Sequence, residues 1–344
     1  MTIKSLSVEN FRSHRKFSRT FSPAVTVVTG PNGSGKTTLI EAVMIALSGH
    51  SFKGGDQELL RRESDWWRID LQIDDQVRTV KYQPDAIKKK QFVIDDKASI
   101  RLPAAARYPI VLFEPDDLRL LHGSPTRRRQ FIDRFAGQLV PNYGKVVRRY
   151  ERALAQRNKL LKNGAGDNTL FAWNVSLAKY GAQMIDMRVR LIERLNTGLG
   201  STYKTIAQTR DSATLHYSHT LIDNTEQKLL AELESHTERD RILGFTSVGP
   251  HRHDVLFRFN DSPAIGSASR GEVRTIILAL KFLEVDILQE VTGLPPVVLL
   301  DDVLSELDDR RQAHLATKFQ DHQIIMTSTN PPSVVGDAKV IKLR

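Results

Sequence analysis

Gly30-Pro31-Asn32-Gly33-Ser34-Gly35-Lys36-Thr37 fits the pattern G-x-x-x-x-G-K-[ST], and its flanks decide how it is read. Residues 24–29 before it run apolar in the manner of a strand, and Thr37–Leu47 after it reads as a helix stopped at Ser48-Gly49. A glycine loop between a strand and a helix turns its backbone N–H groups toward phosphate oxygens. Lys36 then reaches the β- and γ-phosphates, and the Thr37 hydroxyl is a magnesium ligand. Gly30 through Thr38 are the expected nucleotide contacts.

A second segment, Val297-Val298-Leu299-Leu300-Asp301-Asp302, is an apolar strand ending in paired carboxylates. Asp301 is placed to hold magnesium together with Thr37, and Asp302 to orient or deprotonate the attacking water. An aspartate reaches less far than a glutamate, so slow hydrolysis is expected. A third segment, Ser267-Ala268-Ser269-Arg270-Gly271-Glu272, opens a long helix about thirty residues earlier. Its hydroxyl, free N–H groups and helix dipole suit a γ-phosphate, and they suit an ordinary N-cap equally.

The 344 residues allow two compact domains or one ATPase core with an inserted lobe. Hydrophobic content is 40% and mean hydropathy −0.33. No apolar run approaches the ~20 residues of a membrane helix, and the first residues lack the apolar stretch of a signal peptide. Cysteine is absent, which excludes disulfides and thiolate metal sites. The expectation is a cytoplasmic, non-membrane protein. A net charge of +10 favours a polyanionic partner. Between Arg127 and Lys162 stand eleven Lys/Arg against Asp133 and Glu151, which is +9 of that total. Arg127, Arg128, Arg129, Arg148, Arg149 and Arg152 are the candidates there for phosphate-backbone or intersubunit contact.

Strand signals recur at Ile69–Ile73, Val77–Tyr82 and Ile110–Phe113, with Phe11–Thr20 read as a link and Lys88–Lys90 as a loop. From about Leu118 to Asp240 the pattern is helical, with a long amphipathic stretch at Phe171–Leu199 and a helix at Thr225–Arg239. Strand character returns at Leu243–Val248 and Asp254–Phe259, and a helix over Arg270–Gln289 precedes the acidic strand. The fold class expected is α/β: a head made of residues 1–117 and 241–344, with residues 118–240 as a mainly α-helical insert.

The order of the three nucleotide segments resembles ABC-type ATPases, in which ATP is sandwiched between two heads and the signature helix acts on the partner's nucleotide. Within that class nearly the whole chain resembles the RecF family. The resemblance is carried by Glu9-Asn10-Phe11-Arg12-Ser13-His14, by Pro115–Asp133, by Gln156-Arg157-Asn158, by Glu238-Arg239-Asp240-Arg241 and by Gly249-Pro250-His251-Arg252-His253-Asp254. Ser269-Arg270-Gly271-Glu272 is similar to the RecF form of the ABC signature, and Asp301-Asp302 to its paired aspartates. The resemblance implies a Rad50-like head with ATP and Mg2+ as cofactors and an ATP-dependent homodimer. It further implies a slow DNA-stimulated ATPase that engages duplex, gapped or single-stranded DNA, with partners of RecR and RecO type. The expected setting is recombinational repair, replication and the SOS response at the nucleoid. Arg12 is expected near the phosphates, and Ser269–Glu272 on the nucleotide of the other protomer.

Two features depart from the ABC pattern. The glutamine that senses magnesium has no counterpart near Phe113-Glu114-Pro115, where Glu114 and Asp116 are the substitutes on offer. The switch histidine after the last core strand is replaced by Thr327 or Ser328. The alternatives are a transporter ATPase subunit or an SMC/Rad50-like structural head. The basic insert opposes the first, and the lack of heptads for long coiled-coil arms opposes the second. His251 and His253 alternate as on a strand, but without cysteines or a carboxylate cluster they are weak metal ligands. Trp66 and Trp67 read as packing residues.

Overall fold

A computed structural model describes residues 2–219, 224–330 and 338–343. The chain divides into two compact units, residues 1–118 with 284–344 (unit 1) and residues 119–283 (unit 2).

Unit 1 opens with β1 (Ile3–Phe11), β2 (His14–Thr20) and β3 (Val25–Thr29), followed by α1 (Lys36–Ser48). Next come β4 (Trp67–Ile73), β5 (Gln76–Tyr82), β6 (Lys90–Ile94), β7 (Lys97–Ser99) and β8 (Ile110–Phe113). Five parallel strands form one sheet in the order β14-β3-β13-β12-β8, where β12 is Val297–Asp301, β13 Ile324–Ser328 and β14 Lys339–Lys342. β8, β12 and β13 are buried nearly throughout, as strands of a covered parallel sheet must be. The second sheet is antiparallel, β2-β1-β4-β5-β6-β7, and β4 alternates strictly between buried and half-buried positions. Both sheets contribute to one apolar core around α1, which is buried from Thr38 to Leu47.

Phe11–Thr20 is a hairpin arm here, not a link: His14–Thr20 pairs with β1. Its sequence HRKFSRT buries only Phe17, so an edge strand with this composition carries little alternation to read. The Lys88–Lys90 loop ends in β6, whose hairpin turns at Asp95 and Asp96, both left-handed (φ 48 and 60).

In unit 2, helices α2 (Pro125–Leu139), α3 (Tyr143–Lys162), α4 (Asp167–Ala207), α5 (Thr225–Ser235) and α6 (Thr237–Leu243) accompany a small sheet. Its strands are β9 (Ala213–Tyr217), β10 (Val255–Phe259) and β11 (Ser262–Pro263), followed by a kinked turn α7 (Ala264–Ser267). α8 (Arg270–Thr292) carries the boundary within it, and α9 (Asp309–Lys318) belongs to unit 1. The boundary expected at 240/241 falls instead at 283/284. β10 pairs with β9, which ties residues 241–283 to the helical unit. Leu243–Val248 is not a strand: α6 ends at left-handed Gly244 and the chain continues irregularly.

Candidate nucleotide site

The glycine loop leaves the C-terminal end of β3 and enters α1 through Gly35, which is left-handed at φ 91 and provides no side-chain cap. The first N–H groups of α1 therefore lack a side-chain partner, an arrangement suited to an anion. Gly30 is required by close approach, since a Cβ there would sit 2.8 Å from Ser34 Oγ and 2.9 Å from the Leu343 carbonyl oxygen. A Cβ on Gly35 would collide with the His14 ring and lie 2.5 Å from Ser13 Oγ. Lys36 is buried, and its Nζ donates to the carbonyls of Gly30 (2.7 Å) and Pro31 (3.1 Å). Ser34 Oγ is buried with no hydrogen-bond partner. An orphaned hydroxyl, a lysine resting on its own loop and uncapped N–H groups fit a polyphosphate.

Parallel register brings the acidic segment alongside. Asp301 on β12 stands opposite Thr327 on β13, and the pairing Leu300↔Phe113 sets Glu114 beside Asp301 at the strand ends. Thr37 Oγ1 donates to Asp301 Oδ1 at 2.8 Å across 264 residues of sequence, and Thr327 Oγ1 donates to the same oxygen at 2.9 Å. A hydroxyl and a buried carboxylate at this distance are hard oxygen donors of the kind magnesium takes. Asp302 adopts φ 53, left-handed and costly for an aspartate, and its N–H donates to Thr327 Oγ1 at 2.9 Å. Thr327 thus braces both acids, a part that its own sequence neighbourhood does not reveal. Lys53, absent from the sequence motifs, places Nζ 3.3 Å from Asp301 Oδ2.

Arg12, between β1 and β2, is bonded to the helix that follows the glycine loop. Its guanidinium binds both oxygens of buried Glu41 on α1, at 2.5 and 2.9 Å, and this bonding holds its pKa above the usual arginine value. Ser13 and His14 of that arm both reach the loop at Gly35, and His14 Nε2 donates to the Gly35 carbonyl at 3.1 Å.

Residues 5–168 match the AAA domain family. The DNA replication and repair protein RecF of Lacticaseibacillus paracasei is 35% identical over 350 residues, covering 96% of this chain and 93% of that protein. RecF of Lachnoclostridium phytofermentans is 33% identical over 339 residues with the same coverage.

The chain belongs to the RecF family.

A solved structure of the recombination mediator protein RecF-ATPrS in the RecFOR pathway aligns with TM-score 0.89 at 29% identity, over 99% of this chain and 96% of that one. An Smc head bound to the C-terminal winged-helix domain of ScpA aligns with TM-score 0.52 at 16% identity, a likeness of fold alone. The architecture is the ABC-type ATPase head shared by RecF and SMC proteins.

Several segments that mark the RecF resemblance prove to be internal ties of unit 2. Arg157 is 0% exposed and donates to Asn174, Asp240, Thr246 and the Leu233 carbonyl, at 2.6–3.2 Å. Asn158 Oδ1 accepts from both the N–H and the hydroxyl of Thr246. His251 accepts from Tyr150 at Nδ1 (2.6 Å) and donates from Nε2 to the Thr246 carbonyl (3.0 Å), while burial pushes its pKa down to about 4. No group of three or more His, Cys, Asp or Glu suited to a metal occurs among the described residues.

The candidate arginines separate into two sets. Arg128 is buried on Asp254 (2.8 and 2.6 Å) and on the Leu121 and Gly123 carbonyls. Arg129 is half-buried on the His253 carbonyl and Thr126, and Arg127 is half-buried at the start of α2. Arg148, Arg149 and Arg152 are exposed on α3, on the face opposite Val146, Tyr150, Ala153 and Arg157, together with Lys145, Lys159 and Lys162. Ser269 and Glu272 form a capping box: Ser269 N–H donates to Glu272 Oε2 at 2.6 Å, and Glu272 N–H to Ser269 Oγ at 3.3 Å. Arg270 is exposed and Gly271 half-buried at that helix start.

Proposed function

We propose that this chain is an ATP-switched DNA-binding protein of RecF type, in which nucleotide binding drives pairing of two heads and slow hydrolysis releases them. The observation that carries this reading is the 2.8 Å bond between Thr37 and Asp301, residues at opposite ends of the sequence that meet at the mouth of the glycine loop. Lys36 holds the β- and γ-phosphates and Gly30–Thr38 wrap them. Thr37 and Asp301 hold magnesium, which when bound supplies positive charge to the phosphate oxygens. Asp302, set off from the strand by its left-handed backbone, orients the attacking water and accepts its proton. The Ser269–Glu272 helix start completes the site of the second copy, its capped N-terminus offering a positive dipole end.

The exposed basic face of α3 supplies the DNA contacts through Arg148, Arg149 and Arg152. Arg128 and Arg129 support the fold and do not touch DNA. Engagement of gaps or duplex junctions, stimulation of hydrolysis by DNA and partners of RecR and RecO type complete the proposal, as does a place in recombinational repair, replication and the SOS response. No helix among the described residues is long and apolar enough to cross a membrane. The test is anisotropy of a fluorescent gapped duplex with and without ATP and Mg2+. Tightening by ATP that Lys36→Ala abolishes supports the switch, and binding indifferent to ATP removes it.

A further inference from the structure

The Asp301 carboxylate has both oxygens engaged. Oδ1 accepts from Thr37 and Thr327, while Oδ2 faces the ammonium of Lys53 at 3.3 Å. With its side chain 4% exposed, Asp301 is a carboxylate that requires positive compensation. Lys53 provides it from a side chain that is 41% exposed, on a flexible stem free to withdraw.

The loop that delivers this ammonium is built. Ser51 Oγ donates to Glu41, the same carboxylate that holds Arg12, and accepts from the N–H groups of Lys53 (2.9 Å) and Gly54 (3.2 Å). Lys90 on β6 closes the loop at both ends, binding the Gly49 carbonyl at 3.1 Å and Asp56 at 2.5 Å. The Trp67 indole N–H adds a bond to the Asp56 carbonyl at 2.9 Å. A loop braced from α1, β4 and β6 holds Lys53 beside one particular acid.

We propose that Lys53 is the resident cation of the nucleotide site: its ammonium neutralises Asp301 when magnesium is absent and yields that place when magnesium enters. The inference rests on the magnesium–nucleotide reading of Thr37 and Asp301. Its physical content is a competition of two cations for one carboxylate. Nucleotide without metal carries its full negative charge toward Asp301 and Asp302, and Lys53 offsets the repulsion. Once magnesium is present the ammonium is redundant there.

The experiment titrates a fluorescent N-methylanthraniloyl ATP into the full chain, in EDTA and in saturating Mg2+, for the wild type, Lys53→Met and Lys53→Arg. Lys53→Met is expected to lose about tenfold in affinity in EDTA and to stay within about twofold in Mg2+, so magnesium and nucleotide become more strongly coupled. Lys53→Arg should follow the wild type in EDTA. An equal loss in both buffers would make Lys53 a plain phosphate contact, and no loss in EDTA would make the ion pair idle; either overturns the proposal. Lys36→Ala separates the underlying reading: if it binds nucleotide like the wild type, the glycine-loop assignment fails and not Lys53 alone. Thermal melts establish that each variant is folded. If Lys53→Met is not, Ser51→Ala, which frees the loop and keeps the lysine, is read in the same two buffers with the same expected direction.

Discussion

Asp301 in unit 1 and Arg157 in unit 2 are both buried ions held by partners from elsewhere in the chain, but only Asp301 has the glycine loop and a half-exposed lysine beside it. Arg157 has acceptors on Asn174, Asp240, Thr246 and Leu233, and Arg188 likewise holds both oxygens of Asp133 with the Pro250 carbonyl and the Tyr217 hydroxyl. Around Asp301 the arrangement is provisional: Lys36 leans on loop carbonyls, Ser34 Oγ has no partner, and Lys53 is held at 3.3 Å by a half-exposed stem. A closed polar network specifies a fold, whereas an open one leaves donors for a ligand. The difference separates arginines that build the molecule from cations that serve it, although both kinds are conspicuous in the sequence.

Removing the central cation of the unit 2 network should have the largest effect on stability. Arg157→Leu leaves Asp240 buried without its cation and should cost about 3–5 kcal/mol in a urea titration, whereas Lys53→Met should cost less, about 1–2 kcal/mol, because Thr37 and Thr327 still donate to Asp301 and the lysine is 41% exposed. Equal costs would erase the distinction. Asp302→Asn keeps the open site but removes its base. Single-turnover phosphate release should slow by about 10²–10⁴-fold while nucleotide affinity holds, because asparagine tolerates the left-handed backbone at that position.

Acid sharpens the contrast on the side of unit 2. His251 is neutral in the folded chain, with its pKa lowered to about 4 first by burial, against about 6.5 when unfolded. As pH falls through that window the unfolded chain takes up the proton and the folded one does not, so stability is full above about 6.5 and declines toward 4. His251→Gln should remove about 2–3 kcal/mol of this pH dependence, read as unfolding free energy at pH 7 and pH 4.5. The smallest expected effect is on the α3 surface. Arg148→Glu with Arg149→Glu should weaken DNA binding by about tenfold and flatten its salt dependence by about one unit per lost phosphate contact, with the melting temperature unchanged.

The meeting of Thr37 with Asp301 beside the glycine loop was legible because each residue lies in a short local pattern: glycine spacing next to a helix, or acids at the end of an apolar run. The parallel strands were legible for the same reason, β12 and β13 being unbroken apolar stretches. Lys53, Glu41 and Thr327 were not, because their roles exist only once strands and loops 10 to 248 residues apart are packed together. The capping box at Ser269 and Glu272 shows the limit of reading from the other direction, since one spacing serves both a helix end and a signature motif. Clustered arginines misled for a related reason. Charge is visible in sequence, but its burial against Asp254 or Asp240 is not.

The pairing of Val25 with Ile324 carries a consequence for how the protein is made. β3 leaves the ribosome about three hundred residues before the two strands that flank it, an interval of about half a minute at about 10 residues per second. All of unit 2 is synthesised within that gap. For that time the glycine loop is attached to a strand with a bare edge, and no acid is yet present to meet Thr37. A newborn chain therefore cannot form its nucleotide site until synthesis is almost over, and a nascent chain stalled before β12 exposes an apolar strand that invites aggregation or a chaperone.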